Sequence, residues 1–81
     1  MKAQVLDSRA LVYLRMANYA ASVQDYSAAL AINPKQADSL YGRGLSELRQ
    51  GHADQGQTDL KAAAALVPRV SDTFRAAGID P

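Results

Sequence analysis

At about 100° per residue, Leu6, Arg9, Ala10 and Tyr13 fall on one side of a helix, and Gln4, Asp7, Leu11, Leu14 and Arg15 fall on the other. That spacing predicts a helix over 3–16, and the same reading predicts helices over 20–32, 36–50 and 53–66, with a shorter one over about 69–77. Turns are expected near Ala17-Asn18-Tyr19 and at Gly51-His52-Ala53. Gly51 is a natural stop because glycine takes the left-handed conformation without steric cost. Asn33-Pro34 and Val67-Pro68 end two other helices, since proline disfavours α conformation in the residue before it. Gly78 followed by Ile79 reads as the end of the last helix, with Ile79 folding back on its final turn.

Pro34 and Pro68 stand thirty-four residues apart, and shifting the chain by that distance exposes a repeat. Eleven of 32 positions are then identical: Ala3/Ala37, Leu6/Leu40, Arg9/Arg43, Leu11/Leu45, Leu14/Leu48, Arg15/Arg49, Asp25/Asp59, Ala28/Ala62, Ala29/Ala63, Ala31/Ala65 and Pro34/Pro68. Composition alone gives about two or three. Each repeat is a helix, a turn and a second helix.

Composition narrows the chemistry more than the fold. Eighty-one residues with sixteen alanines and nine leucines make one helical domain, too short for a large enzyme core. Cysteine is absent and histidine occurs once, which excludes a disulfide framework, a thiol nucleophile and the usual Cys/His zinc site. A formal charge of +1 is too small to hold a phosphate backbone, so nucleic acid is not an expected partner. No apolar run approaches the roughly 20 residues of a membrane span, and Met1–Leu14 lacks the pattern of a signal peptide. A soluble chain with no membrane partner is expected. Gly42-Arg43-Gly44 lies mid-helix without the strand and the Lys-Ser/Thr of a phosphate loop, and its glycines read as close-packing residues. His52 reads as a solvated loop residue, and the aspartates read as surface charges. No catalytic, metal or cofactor site is expected.

A thirty-four-residue helix-turn-helix unit closed by proline resembles the tetratricopeptide repeat. The signature positions are Leu6, Ala10, Tyr13, Ser22, Tyr26, Ala29 and Pro34 in the first unit, and Leu40, Gly44, Glu47, Gly56, Leu60, Ala63 and Pro68 in the second. Phe74 and Gly78 repeat the opening spacing once more, as a capping helix does. Leu6 and Leu40 replace the usual Trp, and Glu47 stands where Tyr13 stands in the first unit, with Arg43 one turn away as its expected partner. The resemblance implies an all-α superhelix of two helical hairpins, repeat one over 3–34 and repeat two over 37–68, with a capping helix over 69–78. The small residues Ala10, Ser22, Ala29, Gly44, Gly56 and Ala63 let paired helices approach to roughly 8–10 Å. Leu6, Tyr13, Tyr26, Leu30 and Ile32 are expected to form one core layer, and Leu40, Leu60, Leu66 and Phe74 the next.

The resemblance also implies a concave groove that receives a peptide or a partner helix. Its expected lining is Leu11, Leu14 and Arg15 from repeat one, Tyr41, Leu45, Leu48 and Arg49 from repeat two, and Arg75 from the cap. Such a strip of leucines bordered by arginines suits an extended segment with apolar side chains and a carboxylate. The family's clamp for chaperone C-termini maps onto Asp7, Leu11, Gly42, Asp72 and Ala76, none of them a suitable donor, so that ligand is not expected. The expected role is a non-catalytic protein-interaction module, the alternative being a structural cap of a longer solenoid. Val5, Val12 and Met16 form an apolar stripe whose counterparts in repeat two are Ser39, Ser46 and Gln50. A solenoid end requires a polar outer face, so this edge is expected to be covered by a further repeat or by a second copy in a homodimer.

Overall fold

The computed structural model describes residues 1–79 and contains five helices: α1 (Ala3–Arg15), α2 (Tyr19–Ile32), α3 (Ala37–Arg49), α4 (Ala53–Leu66) and α5 (Val70–Ala76). Each lies within one residue of its expected bounds at either end. The local reasons are visible at the termini. α1, α3 and α5 all stop in the same double hydrogen bond, in which the residue past the cap turns left-handed and the next N–H reaches back five residues. Asn18 N–H donates to the Tyr13 carbonyl at 2.8 Å, His52 N–H to that of Glu47 at 2.9 Å, and Ile79 N–H to that of Phe74 at 2.9 Å. Ile79 then packs back on the core, as its position after Gly78 predicts. α2 and α4 stop differently, at extended residues Asn33 and Val67 that the following prolines hold out of the helix.

α1 packs on α2 and α3 on α4 as two hairpins, α2 joins them by packing on α3, and α5 closes the far side against α3 and α4. Because α1 also touches it, α3 is enclosed by every other helix. Glycines make this possible. A methyl group on Gly44 would stand 2.9 Å from the Gly56 carbonyl oxygen, and one on Gly56 would stand 2.8 Å from that of Gly44, so the two glycines are the contact line of the second hairpin. A methyl on Gly42 would occupy the space of the Tyr26 ring, which crosses α3 there. The main core gathers Leu14, Leu30, Leu40, Tyr41, Leu45, Ala63, Val70 and Phe74, with Leu11, Tyr19, Leu60 and Ile79 at its margin. Two expected core residues are exposed instead. Ile32 and its counterpart Leu66 are exposed at the last positions of α2 and α4, Ile32 being two residues and roughly 200° beyond the buried Leu30.

Polar side chains tie the layers together. The Arg9 guanidinium donates two hydrogen bonds to Asp25 at 2.6 and 2.9 Å, and Arg43 donates two to Asp59 at 2.7 and 3.0 Å, so each hairpin carries the same bidentate clasp. Between hairpins, Ser22 Oγ lies 3.0 Å from the Ala10 carbonyl oxygen and 2.9 Å from Ser46 Oγ, which lies 2.9 Å from the Gly42 carbonyl oxygen. Two hydroxyl protons serve three contacts, so only two are donated at any instant. Ser39 Oγ accepts from Gln36 and donates to Asp7 at 2.8 Å.

The three helix ends are alike in hydrogen bonding but not in residue. Gly51 and Gly78 adopt their left-handed φ of 84° and 81° without strain, whereas Ala17 holds φ 61° with a Cβ in place. Ala17→Gly is therefore expected to stabilise the chain by about 1 kcal/mol in urea unfolding. A variant no more stable than the parent would remove the strain argument.

Candidate functional site

On the face where α1, α3 and α5 converge, a slot of about 50 Å³ opens between Leu11, Phe74 and Ala77, with Asp7, Asp38 and Thr73 on its rim and Tyr26 at its floor. α1 supplies Asp7 and Leu11 one turn apart, and α5 supplies Thr73, Phe74 and Ala77 from its inner side and C-cap. Tyr26 reaches the slot from α2, over the bare backbone of Gly42. The slot is acidic. Partial burial and the neighbouring Asp7 charge push the Asp38 carboxyl above its ordinary range, and burial, with the charges of Asp7 and Asp38, raises the Tyr26 hydroxyl well above that of an ordinary tyrosine.

A second, wider cleft of about 360 Å³ lies at the other end of α1, lined by Leu14, Arg15, Ala17, Tyr19, Arg49, Ala77, Gly78 and Ile79. The expected groove residues thus divide. Leu11 lines the slot, and Leu14, Arg15 and Arg49 line the cleft. Arg75 is on the outer side of α5 with Asp72 at 3.6 Å, and Asp72 also accepts from Arg69 at 3.0 Å. Two residues are not presented at all. Leu45 is 0% exposed and Tyr41 is 6% exposed with its ring 4.8 Å from that of Phe74, whereas Leu48 packs against Gly56 and stays half-buried. The expectation that Tyr41 and Leu45 face a ligand is corrected, because the part of α3 that carries them is packed into the core. Leu14 is also buried, so it supports the wall of the cleft more than it offers surface.

Other polar expectations change as well. Asp25 and Asp59 are buried partners of arginines, not surface charges. Arg43 is taken by Asp59, and Glu47 instead meets His52, whose Nδ1 lies 2.7 Å from Glu47 Oε2. The turn after α3 returns His52 over the last helical turn, which is why this histidine is more than a loop residue. Sequence already held a signal for the clasps, because Arg9/Arg43 and Asp25/Asp59 are identical across the repeat. Among the described residues, no group of three His, Asp or Glu side chains could hold a metal ion, and no helix is long and apolar enough to cross a membrane.

These features, a paired-helix unit repeated at thirty-four residues with small residues at the helix contacts, have a counterpart among known proteins. The model of the TPR repeat family matches residues 9–51, more than half of the chain. The chain belongs to the TPR repeat family. Repeats of this family generally mediate protein–protein interaction. This TPR chain is also similar to Cellulose synthase 1 operon protein C of Komagataeibacter xylinus, 38% identical over 64 residues. Cellulose synthase operon protein C of Komagataeibacter sucrofermentans is 36% identical over 64 residues. The alignments cover 79% of this chain but only 5% of either relative, so the chain spans a small part of their length. No solved structure matches it.

The carboxyl shifts lead to opposite pH effects. Arg9 holds Asp25 below its ordinary range, so its contribution is complete above the unfolded value and is lost as pH falls through the lower folded value. Asp38 is raised, so its charged form costs stability above the folded value, and that cost disappears as pH falls to the unfolded value. Asp38→Asn is expected to melt higher than the parent at about pH 7 and level with it at about pH 3, whereas Asp25→Asn should melt lower at neutral pH with a difference that shrinks in acid. Thermal melts by circular dichroism across that range check both signs.

Proposed function

We propose that this TPR chain is a non-catalytic interaction module that holds a segment of a partner protein across the face formed by α1, α3 and α5. The observation that carries the reading is the slot itself: apolar walls of Leu11, Phe74 and Ala77 beneath a polar rim, at the meeting of three helices, beside a wider cleft along the same side of α1. An extended segment can place one side chain in the slot and a neighbouring part of its length in the cleft. The likeness to the cellulose synthase operon proteins supports a repeat of the same kind, and with 5% of their length covered it carries none of their other properties.

Random peptides displayed on phage and selected against the chain test this reading. Thr73 is exposed on the rim, so Thr73→Trp fills the slot without entering the core. Selected peptides are expected to bind that variant about tenfold or more weakly by calorimetry, with its melting temperature close to the parent's. Equal binding to parent and variant would place the interaction elsewhere.

A second reading concerns the outer edge of α1, where Val5, Val12 and Met16 are 51%, 54% and 68% exposed. Their counterparts Ser39 and Ser46 are buried against the first hairpin and bonded to Asp7 and Ser22. This row is thus the stacking surface of a repeat, left apolar and uncovered, and we infer that a second copy of the chain or another repeat packs on it. Sedimentation is expected to show a concentration-dependent dimer that Val12→Ser with Met16→Gln converts to monomer. A parent that stays monomeric at millimolar concentration would sink the self-association.

A further inference from the structure

Tyr26 is 1% exposed, yet no hydrogen bond to its hydroxyl occurs among the described residues. Since no sealed polar side-chain atom among them lacks a partner, this oxygen is open to the slot that Tyr26 lines. A buried hydroxyl aimed into a cavity lacks the partner that such groups ordinarily have. On the rim beside it stand two carboxylates. Asp7 is held in place by the hydrogen bond from Ser39, and Asp38 lies close enough to feel the Asp7 charge, while both carboxylates act on the Tyr26 hydroxyl. The remaining walls, Leu11, Phe74 and Ala77, offer hydrocarbon and an aromatic ring.

We propose that this slot is a recognition pocket for a lysine side chain of the bound partner segment, its ammonium group shared by Asp7, Asp38 and the Tyr26 hydroxyl and its methylenes lying along Leu11 and Phe74. The inference rests on the reading of this face as the binding face. Donor count fits the lining: an ammonium carries three N–H donors and no acceptor, and the slot offers two carboxylates and a hydroxyl oxygen. Size fits as well. The cavity of about 50 Å³ exceeds the roughly 10–15 Å³ that one water needs by such a measure, leaving room for an ammonium head and the end of its stem. Charge complementarity makes the choice of sign. An anionic group would meet two carboxylates, whereas a cation relieves the repulsion between them, and the ring of Phe74 adds to its attraction. The slot thus reverses the carboxylate preference expected from the arginines in sequence, which lie outside it, at the cleft or on the outer side of α5.

The test is a titration of the whole 81-residue chain with n-butylammonium, a lysine head and stem without backbone, followed by amide NMR shifts. Saturable shifts are expected at Leu11, Asp38, Thr73 and Ala77, and tetramethylammonium, which has charge but no N–H, should produce none there. Asp7→Asn with Asp38→Asn should weaken butylammonium by about tenfold or more, the loss of two charge-assisted contacts. This double variant keeps an acceptor for Ser39 and removes a like-charge pair, so it retains the fold. Tyr26→Phe, which removes a hydroxyl with no hydrogen-bond partner among the described residues, should weaken it severalfold. The proposal is overturned if the slot amides do not shift saturably, if the double variant responds like the parent, or if tetramethylammonium binds equally well. Selected peptides that depend on Thr73 while butylammonium fails would end the lysine assignment and leave the groove reading standing. Butylammonium binding in the slot with peptides indifferent to Thr73→Trp would end the groove reading, and the partner's lysine with it, leaving a site for small ammonium ions alone.

Discussion

The enclosure of α3 governs the rest of the molecule, and it depends on backbone meeting backbone where Gly44 and Gly56 face each other. Side chains at that line would separate α3 from α4, and α5, which rests on both, would lose its seat. α5 and its C-cap in turn provide Thr73, Phe74 and Ala77, three of the seven residues that line the slot. A chain this short has little core to spare, so the one helix that every other element touches carries most of the packing.

Around that helix, polar groups act as fasteners. Each hairpin closes on its own Arg–Asp clasp, and the seam between hairpins is made by Ser22 of α2 with Ser46 of α3, and by Ser39 of α3 with the Asp7 carboxylate of α1. The clasps are partly exposed on the arginine side, which limits their energetic worth, but their bidentate geometry fixes how the two helices are aligned. Asp25 and Asp59 therefore do for alignment what Gly44 and Gly56 do for distance.

The helices, their ends and the repeat were legible in the sequence because each is a local or periodic signal: the thirty-four-residue spacing, Gly51, Gly78 and the two prolines. The candidate site was legible only in part. A helical wheel assigns a residue to the core side or to the other side, and that division fails for Tyr41 and Leu45, which are buried on a helix that every other helix touches. Ile32 and Leu66 fail for the opposite reason, as apolar residues at helix ends beyond the last contact. Tyr26 is core by its burial, but nothing in its spacing tells that it also lines the slot, with its ring against Gly42 of α3. That fact belongs to Gly42, sixteen positions away.

Gly42 consequently acts as a gate post for the slot as well as a packing residue. The Tyr26 ring occupies the very volume a side chain at 42 would need, and the same residue lines the slot. Any larger residue at that position would convert Tyr26 from floor to stopper. Occupancy of the slot and the distance between α2 and α3 are in this way two readings of a single missing carbon atom.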